Sequence, residues 1–533
     1  MKPTLQSIKY FVSLLKACIA SKDLERGRDI HFQLAQNGLL QKDSFLSSKV
    51  VNMYAKCGKI FQAQEVFDMI LYRDVVIWTA LIAGYAQSNS EGAKALAYFR
   101  RMQLEAVCPN AFTFSSLLKA CGNTGETENG RLVHATVSFT MLFERNLFVA
   151  TAVIGMYAKW GHFIDAEAAF SRLSLRDEVV WTSLVSGYVE HGHGMEAVKC
   201  LEQMHHDRIS PSATTYTCIL GACILLGDLE MGRYMHCEII KRNLLRRDFV
   251  LGNAVIDMYS KCGCLAEAKA VFDCLGTHNV VSWTALISGY TDHELAEDAC
   301  ACYLKMQNEG ISPDAFAVSC CLKACGTIGA AGQGEAIYAD ITSTWFSDKD
   351  LIVGTALVDM YAKCGLIDKA QDVFNKLPIR DKVLWNSLLT GYSQYGEIKK
   401  LLLLFDRMRK DQFEPHSATF VNIFNACTHA GLIEEGHAYF DAMRKEFGIH
   451  PLIEHYTCMM DLYGRAGMLE EAVVVLNSFP CHPNMVTLMS ILGACRKLNN
   501  LEVGQQVFYQ ALGLCMQEPS VYVSLYNLYA GDI

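Results

Sequence analysis

Tyr54-Ala55-Lys56-Cys57-Gly58 decides the reading of this chain, because it recurs. It returns as Tyr157-Ala158-Lys159-Trp160-Gly161, Tyr259-Ser260-Lys261-Cys262-Gly263 and Tyr361-Ala362-Lys363-Cys364-Gly365, and more distantly as Tyr463-Gly464-Arg465-Ala466-Gly467. The successive intervals are 103, 102, 102 and 102 residues. Two further series keep the same period: Trp78-Thr79, Trp181-Thr182, Trp283-Thr284 and Trp385-Asn386; and Lys16-Ala17-Cys18, Lys119-Ala120-Cys121, Gly221-Ala222-Cys223, Lys323-Ala324-Cys325 and Asn425-Ala426-Cys427. A fixed period marks a repeat architecture. Each block holds three related units of unequal length.

Each unit reads as two short amphipathic helices. Trp283, Leu286, Ile287 and Tyr290 fall at i, i+3, i+4 and i+7, one helical face, and Ala299, Tyr303 and Met306 mark a second helix. Asp74, Asn279 and Asp381 stand where an N-cap is needed, and Gly58, Gly263 and Gly365 where a helix should stop. One helical hairpin cannot bury its apolar face alone, so the units must stack into an all-α solenoid.

Composition agrees. Apolar residues make up 51% and charged residues 19%, which supplies cores and excludes wholesale disorder. No run of 18 apolar residues appears, so no membrane span is expected. With 47 basic and 56 acidic residues the net charge is −9, not that of a non-specific nucleic-acid coat. The 22 Cys in so long a chain point to a reducing compartment rather than a disulfide scaffold.

The order Trp78-x2-Leu81-x2-Gly84-Tyr85 differs from the tetratricopeptide Trp-x2-Leu-Gly-x2-Tyr. Together with unit lengths near 31, 35 and 36 residues, it resembles the pentatricopeptide repeat family, in its subclass of alternating P, L and S motifs. The resemblance covers nearly the whole chain and implies a right-handed α-solenoid of stacked helix-turn-helix repeats. A leader at 1–7 precedes an L unit at 8–43 and an S unit at 44–74. P, L, S triplets follow at 75–177, 178–279, 280–381 and 382–484, making 14 units. Residues 485–518 are similar to the family's first extension motif. Residues 519–533 are similar to a second one that stops at Ile533, mid-motif, which suggests an incomplete or split gene.

Two polar columns run through these units. At the fifth residue stand Ser48, Thr79, Thr151, Thr182, Asn253, Thr284, Thr355, Asn386 and Thr457. At the last residue stand Asp74, Asn110, Asp177, Ser212, Asn279, Asp314, Asp381, His416 and Asn484. An ionised Asp only accepts hydrogen bonds and so favours a base edge with an imino N–H, guanine or uracil. Asn also donates and suits adenine or cytosine, while a short Thr or Ser leaves room for a purine. The same Asp and Asn residues also suit plain N-caps. The second residue of each unit is apolar: Phe45, Val76, Phe148, Val179, Val250, Val281, Ile352 and Val383. The family wedges this position between bases; ordinary packing between repeats fits it equally.

The resemblance implies one base per repeat, read by two or three side chains, with the N-terminal unit at the RNA 5′ end. Its rule gives guanine for Ser48/Asp74, Thr151/Asp177, Thr284/Asp314 and Thr355/Asp381. It gives adenine for Thr79/Asn110 and Thr457/Asn484, and a pyrimidine for Asn253/Asn279. Thr182/Ser212 and Asn386/His416 are off-code, the latter leaning to pyrimidine. The L units, with Val12, Ser115, Thr217, Ser319 and Val421 at the fifth position, are poorly read. In editing members the last S unit sits four nucleotides 5′ of the target cytidine. The expected target is 5′-G-A-n-G-n-n-Y-G-n-G-Y-n-A-n-n-n-C. Phosphate neutralisation must come from local groups such as Lys241-Arg242 and Arg246-Arg247, unless these are merely a solvated loop.

Catalysis is not expected from this chain. A zinc deaminase needs His-x-Glu and Pro-Cys-x-x-Cys, and no two Cys are three apart. The one His-x-Glu, His236-Cys237-Glu238, echoes His31 and His134 and reads as repeat structure. Cys18, Cys57, Cys121, Cys223, Cys262, Cys325, Cys364, Cys427 and Cys495 hold repeat positions and read as small core residues, not ligands. Gly329, Gly332 and Gly334 follow no strand and are not a phosphate loop. No cofactor or metal is expected.

The resemblance therefore implies a monomer that binds single-stranded RNA in a mitochondrion or chloroplast. Its role would be to select a cytidine for C-to-U editing, with the deaminase supplied in trans by a second pentatricopeptide protein or other editing cofactor. The alternatives are RNA processing, splicing or stabilisation, or a tetratricopeptide-like protein scaffold.

Overall fold

The computed structural model describes residues 5–40, 44–87, 91–245, 248–344, 350–477, 485–498, 500–514 and 523. These residues form 31 α-helices and no strand, the all-helical stack of hairpins expected from the repeat. The helices divide into two units, Met1–Leu275 and Gly276–Ile533.

The recurring pentapeptide sets the geometry in two ways. Its glycine ends the first helix of each S hairpin in the left-handed region, with φ of +73° at Gly58, +72° at Gly161 and +80° at Gly365, a conformation that a Cβ disfavours. Its alanine faces the Gly-Tyr of the next hairpin. A Cβ added to Gly84 would lie 2.7 Å from Ala55 Cβ, one on Gly187 2.4 Å from Ala158 Cβ, and one on Gly391 2.8 Å from Ala362 Cβ. The small pair brings the first helices of successive hairpins close together.

The apolar faces then close the stack. Helix Val75–Gln87 buries Trp78, Leu81, Ile82 and Tyr85 completely. A Phe from the preceding second helix meets three of the recurring Trp edge-on: Phe67–Trp78 at 4.7 Å, Phe170–Trp181 at 4.5 Å and Phe374–Trp385 at 4.7 Å between ring centroids.

In the first unit the helices Ser44–Lys56, Val75–Gln87, Ala111–Thr124, Leu147–Lys159, Glu178–Glu190, Ala213–Leu226 and Phe249–Lys261 touch in succession and form one layer. In the second unit Val280–Asp292, Ala315–Thr327, Leu351–Lys363, Lys382–Gln394, Ser417–Ala430 and Ile453–Ala466 do the same, continued by Met485–Lys497. Second helices form the other layer. Contacts run between neighbours, as expected of a quasi-one-dimensional stack.

Three details complete the described fold. A four-residue helix, Leu142–Arg145, follows the second L hairpin and buries Phe143. The first helix begins at Leu5, inside the stretch read as a leader. Helices Met485–Lys497 and Leu501–Leu514 form one more hairpin, whose Leu488, Ile491 and Cys495 share a core with Met460 and Leu476. No helix among the described residues is long and apolar enough to cross a membrane.

Candidate nucleic-acid interface

The two polar columns lie side by side because of where the chain places them. The fifth residue falls one turn into the first helix of its unit. The last residue is the N-cap of the next first helix. Asp177 Oδ1 accepts from the Val180 N–H at 3.0 Å, Asp314 Oδ1 from Ala317 at 2.8 Å and Asp381 Oδ1 from Leu384 at 2.8 Å. Asp74 Oδ1 accepts from Val76 and Ile77, both at 3.0 Å. Asn110, Ser212 and Asn279 cap in the same way, and His416 Nδ1 lies 3.2 Å from the Thr419 hydroxyl. Capping therefore does occur, and it occupies one oxygen of each Asp. Among the described residues no hydrogen bond reaches Oδ2 of Asp74, Asp177, Asp314 or Asp381.

The fifth residues are tied to their own helices. Thr151, Thr182, Thr284, Thr355 and Thr457 donate to the carbonyl four residues back at 2.7–2.9 Å. Ser48 donates to the Phe45 carbonyl, and Asn386 Nδ2 to the Lys382 carbonyl. A hydroxyl that donates its proton still has lone pairs to offer.

P and S units differ in how the pair is joined. In P units the two columns are linked. Thr284 Oγ1 lies 3.4 Å from Asp314 Oδ1, and Asn386 Nδ2 lies 3.4 Å from His416 Nε2. Thr113 bridges Thr79 (2.7 Å) to Asn110 (3.0 Å), and Thr215 bridges Thr182 (2.7 Å) to Ser212 (3.2 Å). The bridge is a hydroxyl at the third residue of the L helix. Three P helices carry Ile77, Val180 and Leu384 at that residue, and among the described residues no hydroxyl bridges Thr151 to Asp177 or Thr355 to Asp381; the fourth carries Ser282, whose hydroxyl bonds the Asn279 backbone. Asn253 is buried at the end of the first unit and Asn279 lies exposed at the start of the second. Asn484 lies outside the described residues.

The second residues are half exposed: Val76, Phe148, Val179, Val250, Val281, Ile352 and Val383 are 46–65% exposed, and Phe45 is 50% exposed. Phe148 also meets Phe112 of the preceding unit, with 5.7 Å between ring centroids.

In the first unit these features share a groove of about 850 Å³. Phe148, Thr151, Asp177, Val179 and Thr182 line it, with Lys119 and Lys159 at its wall. Apolar side chains, a hydrogen-bonding pair and two lysines thus meet in one groove.

Lys159 is a functional candidate that sequence reasoning passed over, although its signal was printed in the pentapeptide. Lys56, Lys159, Lys261 and Lys363 all occupy the thirteenth residue of an S unit. Lys56 and Lys159 meet neutral partners, Gln87 Oε1 at 3.5 Å and Asn123 Oδ1 at 2.6 Å. Lys261 and Lys363 instead pair with Asp257 at 3.5 Å and Asp359 at 2.8 Å. The cluster singled out from sequence fares worse. Lys241 and Arg242 both face Glu238, at 2.9 and 3.9 Å, and Arg246 and Arg247 lie outside the described residues.

His236 is repeat structure. Its Nδ1 lies 3.0 Å from Tyr259 Oη, as His31 does from Tyr54 and His134 from Tyr157. The Tyr belongs to the recurring pentapeptide. The repeat cysteines are buried or half-buried, and burial pushes the Cys121 and Cys223 thiols up to about 12, which makes them unreactive.

The PPR repeat family model matches residues 73–123, 176–224, 278–327 and 380–429, and the PPR repeat model matches 253–280, 355–380, 418–446 and 454–480. The chain belongs to the pentatricopeptide repeat family. Among pentatricopeptide relatives, the Arabidopsis thaliana protein At2g03380, mitochondrial, is 32% identical over 523 residues, 98% of this chain and 75% of the relative. The Arabidopsis thaliana protein At1g15510, chloroplastic, is 33% identical over 520 residues, 98% of this chain but 59% of the relative. The chain also spans 60% of the relative At2g40720, so it is shorter than several pentatricopeptide proteins that it matches. Among solved structures, the pentatricopeptide repeat protein PPR10 from maize aligns over 99% of this chain and 90% of its own, at 16% identity and a TM-score of 0.52. The same protein in complex with an 18-nt psaJ RNA element aligns with a TM-score of 0.51.

Proposed function

We propose that this pentatricopeptide protein binds single-stranded RNA sequence-specifically, one nucleotide per repeat. The groove that combines Phe148 and Val179 with the Thr151/Asp177 pair carries the reading. Exposed apolar side chains at the spacing of successive units can separate bases. The free Asp oxygen and Thr lone pairs then meet a base edge, and Lys119 and Lys159 stand near enough to the groove to meet phosphate. The PPR10 complex with an 18-nt RNA element supports this use of the fold.

More specifically, the alternating P, L and S units and the hairpin at residues 485–514 suit a factor that selects one cytidine for C-to-U editing in an organellar transcript, the deaminase acting in trans. The relatives' mitochondrial and chloroplastic names support an organellar site of action. The test is a gel shift of the full chain against 5′-G-A-n-G-n-n-Y-G-n-G-Y-n-A-n-n-n-C and against the same RNA with the eighth nucleotide, opposite Thr284/Asp314, changed from G to C. Weaker binding to the altered RNA is expected, and equal binding overturns the assignment. Transcript sequencing in a loss-of-function line then shows whether one cytidine stops being converted.

A further inference from the structure

Cys300, Cys321 and Cys325 are buried, and their sulfurs lie within 4.8 Å of one another. Cys300 Sγ is 3.8 Å from Cys321 Sγ and 3.8 Å from Cys325 Sγ. Cys300 belongs to helix Ala296–Asn308. The other two lie one turn apart on helix Ala315–Thr327. No other group of three such ligands comes together among the described residues.

The repeat provides an internal comparison. Cys325 stands in the column of Cys121, Cys223 and Cys427 and, by itself, is the small core residue that the sequence suggests. The other two belong to no cysteine column. Where Cys300 stands, the remaining blocks have Leu96, Val198 and Leu402; where Cys321 stands, they have Leu117, Ile219 and Ile423. One block has exchanged two aliphatic side chains for thiols, and both thiols lie against the repeat's own.

A third exchange adjoins them. Tyr303, one turn on from Cys300, replaces Phe99, Leu201 and Phe405. Its side chain is fully buried, and among the described residues its hydroxyl has no hydrogen-bond partner. Burial, followed by the nearby Cys321, Asp340 and Cys325, holds its pKa above the ordinary phenol value. Packing explains neither change: a buried hydroxyl without a partner costs free energy that Phe avoids, and Cys in place of Leu or Ile removes core volume.

We propose that Cys300, Cys321 and Cys325 form a binding site for one thiophilic d10 metal ion, zinc(II) or copper(I). A point equidistant from sulfurs at these separations lies roughly 2.2–2.5 Å from each, which brackets the Zn–S bond of about 2.3 Å. Soft thiolates select these ions. Each thiol that ligates releases its proton to solvent, and the ion's charge offsets two thiolates for zinc(II) or one for copper(I).

The test uses the full chain, stripped of metal and reduced under anaerobic conditions, then titrated separately with Zn(II) and with Cu(I) and desalted. Metal per chain is measured by mass spectrometry. C300L and C321I restore the residues of the other blocks and so preserve packing, and circular dichroism checks their helicity. C223A in another block is the control. The wild type and C223A are expected to retain one more equivalent of ion than C300L or C321I, and to melt higher with the ion than without it. Retention of zinc or of copper identifies the ion. Equal retention by all four proteins overturns the proposal, as does retention of neither ion, or a Cys300–Cys321 or Cys300–Cys325 disulfide in protein isolated without reductant. None of these readouts involves RNA, so their outcome is independent of the base-reading assignment.

Discussion

The Thr284 hydroxyl lies 3.4 Å from Oδ1 of Asp314, 30 residues away in sequence, and that same oxygen accepts the Ala317 N–H at 2.8 Å. One carboxylate oxygen therefore starts a helix and touches its neighbour in the other column, while Oδ2 is left for a ligand. Capping and base reading are compatible duties of a single Asp.

Asp177→Asn separates the two duties. Asn caps about as well as Asp, so helicity and melting temperature should hold. The gained donor should shift preference at the fourth nucleotide from G to A, by about 1–3 kcal/mol if the contact resembles a good base-edge pair. Competition binding with the two RNAs measures it, and an unchanged G preference counts against the pairing. Asp381→Ala removes cap and reader together and should also cost about 1 kcal/mol of stability.

The lysine column predicts the salt dependence. Each phosphate contact on a single strand contributes about 0.7 to the slope of log K against log salt. Replacing Lys56 and Lys159 by Gln should flatten that slope by about 1.4. Replacing Lys261 and Lys363, already paired with Asp257 and Asp359, should change it less. Equal changes would show that the acidic partners do not matter.

Much of this was legible in the sequence. The pentapeptide announced the period, and both of its structural uses follow from residue type: Gly58 because only glycine takes its φ freely, Ala55 because Gly84 comes so close. The second residues read equally as wedges or as packing, because an apolar residue alone does not say which way it faces; in the structure they are half exposed. The link between the columns in P units was hidden, since Thr113 and Thr215 belong to the following unit and their hydroxyls matter only once the helices are stacked. Lys159 was hidden by the opposite error. It was read as a marker of the repeat, while its charge was sought in Lys241 and Arg242, which Glu238 already engages.

Close approach sets a stability prediction. A methyl on Gly187 would sit 2.4 Å from Ala158 Cβ and 3.1 Å from its Cα, so Gly187→Ala should destabilise by about 1–3 kcal/mol. Gly155 lies in a helix with nothing within 4 Å of the added methyl, and Gly155→Ala should be neutral or slightly stabilising. Thermal melts of the two variants compare them directly.

The half-buried histidines predict a pH response. Burial lowers the pKa of His31, His134 and His236 below 6.5, so the unfolded chain binds more protons than the folded one in that range. Their contribution is present above pH 6.5 and is lost as the pH falls through 6.5 toward the lowered values. The melting temperature should drop between pH 7.5 and pH 5.5, and a triple His→Gln variant should drop less. Parallel pH profiles for the two proteins would remove these residues from the account.

The most direct test of the central claim is equilibrium binding of the full chain to the expected 17-nucleotide RNA and to single-nucleotide variants at the fourth and tenth positions, opposite the unbridged pairs Thr151/Asp177 and Thr355/Asp381. Replacing either G by A should weaken binding by about five-fold or more, with recovery of affinity for the fourth-position A in Asp177→Asn. Equal affinity for all of these RNAs, or tight binding to double-stranded RNA of the same sequence, would contradict it.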